Sequence, residues 1–301
     1  MAARKIITVF GATGAQGGSV ASALLKDHNF AVRAVTRDTS KPAAVKLKEA
    51  GAEVVSADLE NEKSLEAALC GAYGAFVVTN FWDHFSKEKE VKQGKVIADL
   101  CKRLGLQHVV YSGLENVNKL TGGKLDVLHF DGKGEVEEYF RAISCSMTSV
   151  RLAFYFENFL SDCKPQKSKD GTSYDLVVPM CDVGMDGISV ADLGPAVLSI
   201  LKCPKDYIGK DIGLSAEKLT VAQYAQIMSK VSGKTIKDAK IPPEVYEKLP
   251  FPGAQEMANM FKFYLMNPDR NVELTHKLNP NTKRFQPWLE EKKEVFIKAL
   301  K

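Results

Sequence analysis

Patterned cysteine is missing from this chain. Its six cysteines, Cys70, Cys101, Cys145, Cys163, Cys181 and Cys203, include no C-x-x-C pair. That scatter argues against a zinc site or a disulfide framework and reads as buried or incidental thiols in a reducing compartment. No metal site is expected. No run of ~18 apolar residues occurs, so no segment is expected to span a bilayer. No secretory leader is read at Met1-Ala2-Ala3-Arg4-Lys5, which runs straight into an apolar stretch. A large charge of one sign is lacking too: 41 Lys and Arg against 37 Asp and Glu leave +4 over 301 residues. So small an excess, without a clustered basic face, argues against nucleic-acid binding. Internal repeats and low-complexity tracts are not visible. The expected setting is the cytoplasm, extending to the nucleus.

What is present is a strand, a glycine turn and a helix in that order. Ile6 to Phe10 is an apolar run of strand type, Gly11, Gly14 and Gly17 follow as G-x-x-G-x-x-G, and Ser19 to Lys26 has helical apolar spacing. Gly11 permits a sharp turn off the strand. Gly14 lets backbone N–H groups approach a pyrophosphate, and Gly17 lets the helix lie close to the sheet. The helix start then offers unpaired N–H groups and a positive dipole end to phosphates. Gly11, Ala12, Thr13, Gly14, Ala15 and Gln16 are therefore candidate dinucleotide-binding residues. A glycine-rich turn that binds nothing is the plain alternative.

The first half continues as alternating strands and helices. Strands are expected at 31–36, 53–56, 75–79, 108–112 and 147–152, and helices at 42–50, 62–69, 87–104 and 133–140. Val91, Ile97, Leu100, Cys101 and Leu104 form the expected buried stripe of the long fourth helix, which Ser86 caps. The pattern predicts a Rossmann-type, doubly wound parallel α/β sheet over residues 1–153 and a smaller C-terminal α/β lobe over 154–301, with some segments returning to the sheet. In the second half, 161–174 reads as an exposed loop, Asp186 and Asp192 as caps, and Thr220 to Gln223 as a capping box. Met257, Met260, Phe261 and Tyr264 share a helix face, either core or partner surface.

Ligands of such sheets bind beyond the carboxyl ends of the strands, so the residues there carry the functional reading. The acidic residue that usually accepts a ribose hydroxyl about 20 residues past the glycines has no counterpart here. Arg37 stands 20 residues beyond Gly17, and Lys41 four further on. A guanidinium grips a 2′-phosphate that a carboxylate repels, which favours NADP(H) over NAD(H); Asp38 is an acidic complication, and a solvated basic loop is the alternative. Asp58 and Leu59 suit an adenine edge, with Asp58 as a helix cap equally open. Thr79, Asn80 and Phe81 open an aromatic loop, Phe81-Trp82-Asp83-His84-Phe85, that either floors the nicotinamide end or tucks into the core. Lys92, one turn into the next helix, is a further candidate beside the cofactor.

With these residues in place the chain resembles the NmrA-like family, and most closely its animal NADPH-sensing members. The resemblance is carried by Gly11 to Val20, Val78-Thr79-Asn80, Glu90 to Lys95, Val110 to Asn116, His129 to Phe140, Tyr155 to Asn158 and Phe251 to Ala254. It implies an atypical short-chain dehydrogenase fold with NADP(H) as cofactor. By position it puts Gly11 to Gln16 at the phosphates, Arg37 to Lys41 at the 2′-phosphate, Asp58 and Leu59 at the adenine and Thr79 to Phe81 at the middle. Lys92, Lys133, Tyr155, Phe156, Glu157 and Asn158 fall around the nicotinamide ribose and ring. It implies a monomer–dimer change with NADPH supply, and argininosuccinate synthase as a partner engaged near Ala153 to Ser189.

An active enzyme of that fold uses Ser with Tyr-x-x-x-Lys. Ser112 and Lys133 are in register, but the tyrosine position is His129. Imidazole can act as an acid near neutrality, yet the neighbouring ammonium disfavours its charged form. Two functions therefore compete. One is a redox sensor that binds NADP(H) without efficient catalysis. The other is an NADPH-dependent reductase of a small carbonyl or enone using Lys133 and His129. A gene regulator like the fungal family member differs from the first mainly in partner.

Overall fold

The computed structural model describes residues 4–301. Strand–helix repeats fill the first half: β1 (Lys5–Val9), α1 (Ala15–Leu25), β2 (Phe30–Thr36), α2 (Pro42–Glu49), β3 (Glu53–Ser56), α3 (Glu62–Leu69), β4 (Gly74–Val77), α4 (Lys87–Arg103), β5 (His108–Ser112), the one-turn α5 (Val117–Leu120), α6 (Leu128–Ala142) and β6 (Met147–Leu152). The chain then passes through β7 (Phe154–Tyr155), β8 (Gln166–Lys167), β9 (Tyr174–Leu176), β10 (Met185–Ile188), α7 (Leu193–Lys202), α8 (Pro204–Tyr207), β11 (Asp211–Leu214), β12 (Glu217–Leu219), α9 (Val221–Ser232) and β13 (Ile236–Asp238). Helices α10 (Pro243–Tyr246), α11 (Ala254–Leu265), α12 (Val272–Leu278), α13 (Phe285–Glu291) and α14 (Lys293–Ala299) complete it.

The main sheet has seven strands in the order β11-β6-β5-β4-β1-β2-β3. The pairs β1–β2, β1–β4, β2–β3, β4–β5 and β5–β6 are all parallel. This is the expected doubly wound Rossmann-type arrangement. Its strand order reverses between β1 and β4, and the crevice at such a reversal is where these sheets take ligands. The glycine turn leaves β1, and Thr79 follows β4, so both sit at that point.

Two compact units are distinguished. The first comprises the described residues through Leu120, Leu128–Arg151 and Val190–Ile212; the second comprises Thr121–Val127, Leu152–Ser189 and Gly213–Lys301. In the first, α7 seats on α1 at backbone distance: a side chain on Gly194 would lie 2.1 Å from the Ser19 carbonyl oxygen. Ser19 Oγ closes the contact, donating to Ala191 O and accepting from Gly194 N–H, both at 2.9 Å.

The stripe expected on α4 needs correction. Ile97, Leu100 and Cys101 are buried, but Val91 and Leu104 are only half-buried, and Glu90, Gln93 and Gly94 take inward positions. The cause is the approach of α6: a Cβ on Gly94 would stand 2.4 Å from Val136 Cγ2. α6 also starts earlier than expected, at Leu128 rather than Lys133, which puts His129 and Lys133 one turn apart on the same helix.

The second unit holds the three-stranded sheets β12-β10-β7 and β13-β9-β8. Its core is aromatic: Phe156, Phe159, Tyr224 and Phe285 are buried and in mutual ring contact. Thr220 makes the expected capping box with Gln223. On α11, Met260 and Phe261 are buried while Met257 and Tyr264 are half-buried, so this stripe serves mainly the unit's core. Asp186 pairs with Lys218 at 3.1 Å instead of capping, and Asp192 occupies the cap position of α7 without a side-chain capping bond. The segment 161–174, expected as an exposed loop, also carries β8.

His108, at the start of β5, is fully buried. Thr148 Oγ1 donates to Tyr207 O at 2.8 Å, so His108 Nε2–H must donate to Thr148 Oγ1, also at 2.8 Å. Nδ1 is buried with no acceptor for a second proton. Burial accordingly pushes the imidazole down to about 4. The unfolded chain binds this proton first, so the contribution of neutral His108 is fully present above about 6.5, declines as pH falls below it, and is gone below about 4. Its total is about 3 kcal/mol. Urea titrations from pH 7 to 4 should show His108→Gln losing stability less steeply than the parent; parallel curves would show that His108 does not bury its neutral form.

Candidate functional site

The glycine turn is shaped by close backbone approach. Gly11 adopts φ +60°, and a Cβ there would stand 2.9 Å from Val78 Cγ1. Gly14 N–H bonds Gly11 O at 2.8 Å, folding the turn on itself. A Cβ on Gly17 would lie 2.3 Å from the Gly11 carbonyl oxygen and 2.5 Å from that of Phe10. Gly17 is thus where α1 presses against the end of β1. The start of α1 has Gly14 as its cap, no side-chain cap bond and no acidic residue in its first turn. Gly14 and Ala15 are exposed there. A positive helix end with no protein anion of its own is suited to phosphate.

Arg37 follows β2 and is exposed, its Nη2 standing 3.5 Å from Asp83 Oδ2. The acidic neighbour Asp38 is committed locally: its carboxylate accepts from Ser40 N–H at 2.9 Å and Ser40 Oγ at 2.6 Å, and these bonds hold it below the usual carboxylate range. Lys41 is exposed at the cap position of α2. Beyond β3, Asp58 is exposed and accepts from Glu60 N–H at 2.9 Å. It is not the helix cap; Asn61 is, accepting from Ser64 N–H. Leu59 packs against the buried core cluster below.

Beyond β4 the structure assembles a buried polar group. Lys133 Nζ lies 2.9 Å from Thr79 O, 3.0 Å from Thr79 Oγ1 and 3.0 Å from Glu90 Oε1. Thr79 Oγ1 in turn donates to Glu90 Oε1 at 2.7 Å. Two hydrogen bonds to Thr79 and an ion pair with Glu90 thus hold the ammonium. Glu90 is fully buried and Lys133 nearly so. The glycines flanking Lys133 explain the approach. A Cβ on Gly134 would stand 2.3 Å from Asn116 N, and one on Gly132 would already touch Glu90 Oε2 at 3.4 Å. Burial pushes the nearby Tyr111 phenol well above its usual value, and the Glu90 carboxylate adds to this, so Tyr111 is no proton donor near neutrality.

Above this group lies the aromatic loop. Phe81 is buried, but Trp82 is 40% and Phe85 58% exposed, which rules out a loop tucked wholly into the core. Their rings meet edge to face at 5.5 Å, and Phe85 holds φ +53°. His129 packs among Phe81, Trp82 and Phe130 with centroids at 5.9, 5.1 and 4.8 Å. Asn80 Nδ2 donates to Asp83 Oδ1 at 2.6 Å. Ser112 is buried at the last position of β5.

Lys92 stands two residues after Glu90 on α4. It is exposed on α4 and lines a surface groove with Lys87, Val91, Lys95 and Glu135, away from the inward face that carries Glu90. In the second unit Tyr155 ends β7, and Phe156 is fully buried against Tyr224, Phe285 and Trp288. Glu157 Oε1 accepts from Ser189 Oγ at 2.6 Å, and Asn158 O accepts from Cys163 N–H at 2.9 Å. Glu90 and Asp83 were not singled out from sequence. Glu90 carried only the signal of an acid in a helix's first turn, and Asp83 only that of a polar residue among aromatics.

Similarity to known proteins follows the same geometry. NmrA-like family domain-containing protein 1 of Rattus norvegicus is 31% identical over 292 residues, covering 97% of this chain and 98% of that protein. The NmrA-like family domain-containing oxidoreductase malD of Malbranchea aurantiaca is 34% identical over 248 residues, 77% of this chain and 74% of its own. The crystal structure of NmrA, a negative transcriptional regulator, in complex with NADP superimposes with a TM-score of 0.82 at 23% identity, covering 98% of this chain and 97% of that one. The sequence profile of the NmrA-like family matches residues 3–287. A glycine turn at the sheet's reversal point, continuous with a family match that runs almost end to end, leaves one assignment: the chain belongs to the NmrA-like family.

Proposed function

We propose that this protein is an NADP(H)-binding redox sensor that acts through its oligomeric state and protein partners rather than through efficient turnover. The observation that carries the reading is the capture of Lys133: its ammonium is hydrogen-bonded to Thr79 O and Oγ1 and ion-paired with the buried Glu90 carboxylate. The residue that would normally assist proton delivery is thereby tied up, and the tyrosine position holds His129 among aromatic rings. Gly11 to Gln16 fit the diphosphate, because Gly11 and Gly17 let the backbone close up and α1 has no acid at its start, and the exposed cations Arg37 and Lys41 fit the 2′-phosphate. NADP(H), when bound, would supply a hydride donor or acceptor. NmrA, whose fold this chain shares, has been crystallised with NADP.

Purified protein incubated with NADPH and a panel of small carbonyls and enones should bind the cofactor without sustained loss of reduced-nicotinamide absorbance. Sustained turnover abolished by Lys133→Ala or His129→Phe would establish the reductase reading instead. NADPH supply is proposed to shift a monomer–dimer equilibrium and the contact with argininosuccinate synthase near 153–189, which pull-downs with and without NADPH test directly.

Arg37 contacts a phosphate common to both redox forms, so it contributes affinity without discrimination; a ligand shifts an equilibrium only through differential affinity. Arg37→Ala should weaken NADPH and NADP⁺ alike, by about tenfold or more, and leave NAD(H) unchanged. A calorimetric titration in which only NADPH weakened would place redox discrimination at Arg37 and overturn this division.

A further inference from the structure

Arg37 has a carboxylate for a neighbour. Its Nη2 faces Asp83 Oδ2 at 3.5 Å, too long for a good hydrogen bond but close enough for a direct charge interaction. Asp83 is itself fixed: its other oxygen accepts from Asn80 at 2.6 Å, and it closes the short helical turn Phe81–Asp83. Two requirements meet at one guanidinium. A phosphomonoester brings about −1.5 to −2 charge to a site where a carboxylate already stands.

We propose that Asp83 is a cofactor-specificity residue that acts against the 2′-phosphate, as an internal rival for Arg37. This rests on the reading of Arg37 as the 2′-phosphate contact. The carboxylate lowers affinity for NADP(H) in two ways. Its interaction with Arg37 must be given up or shared, and its charge repels the incoming phosphate. NAD(H) presents a hydroxyl at the same place and meets neither obstacle. Asp83 therefore narrows the gap between the two cofactors. The turn that Asp83 closes also carries Trp82, whose ring lies 5.1 Å from His129 and 5.5 Å from Phe85.

The test is Asp83→Asn, which keeps an oxygen for Asn80 and removes the charge at a half-exposed position. Calorimetric titration with NADP⁺ should show about two- to fivefold tighter binding, the scale of one exposed ion pair, with NAD⁺ within the error of the parent. Combined with Arg37→Ala, the gain for NADP⁺ should shrink to the share that direct repulsion of the phosphate gives, because the competition for Arg37 is gone. Unchanged or weaker NADP⁺ binding in Asp83→Asn, or an undiminished gain in the double variant, overturns the proposal. Arg37→Ala alone separates this failure from that of the underlying assignment: if it leaves the preference for NADP⁺ over NAD⁺ intact, Arg37 is not the phosphate contact.

Discussion

Gly17→Ala should abolish dinucleotide binding and destabilise the chain by about 3 kcal/mol or more, while Gly18→Ala, one residue on, should do neither. A Cβ on Gly17 would stand 2.3 Å from Gly11 O, 2.5 Å from Gly11 C and 2.5 Å from Phe10 O. All three atoms are backbone, at the junction of β1 with the turn, and no side-chain rotation relieves the clash. Relief requires moving α1 off the sheet, an overpacking change at the upper end of its usual cost. The same movement carries the first N–H groups of α1 away from the phosphate position, so binding fails even in protein that stays folded. Gly18 is the internal control, since its Cβ would meet only Ala12 O at an ordinary 3.4 Å. Alanine there should be neutral or stabilising by a few tenths to about 1 kcal/mol, as helix propensity predicts. Urea denaturation checks the first arm and titration with NADP⁺ the second. Equal stability of the two variants would mean that α1 does not lie against the strand end as described.

Lys133→Met should cost about 3–5 kcal/mol, because it strands the Glu90 carboxylate in the interior. Glu90 has no solvent exposure, and Lys133 is the cation at its Oε1. The loss is therefore expected to exceed what removal of a surface ion pair would give. Pairing the change with Glu90→Gln removes the uncompensated charge, and the double variant should recover at least about 1 kcal/mol relative to the sum of the single ones. Additive losses would show that the two groups do not form the buried pair. The double variant also separates stability from function, since it asks whether NADP(H) binding needs Lys133 at all.

Much of the frame follows from local rules. Ser86 accepting from Lys89 N–H, Pro42 in the first turn of α2 and the Thr220–Gln223 box are each set by residues within one helical turn. The glycine spacing likewise declares its own turn, because φ +60° with Val78 pressed close at Gly11, and the backbone contact at Gly17, favour a residue without Cβ. On α4, Val91 and Leu104 stay half-buried and Glu90 turns inward because Gly94 meets Val136 of another helix, and periodicity along one helix carries no record of that.

Sequence by itself determined the alternation of strands and helices, the place of the nucleotide turn and the presence of Arg37 where an acid would otherwise stand. Each is a property of neighbouring residues, fixed by dihedral preference or by side-chain charge. Tertiary structure alone decided what those charges do. Lys133 meets Thr79 across 54 residues and is neutralised by Glu90, and Arg37 meets Asp83 from the far end of another strand. Charges interact through space, and only the folded sheet sets the distances that bring Lys133 to Glu90 and Arg37 to Asp83.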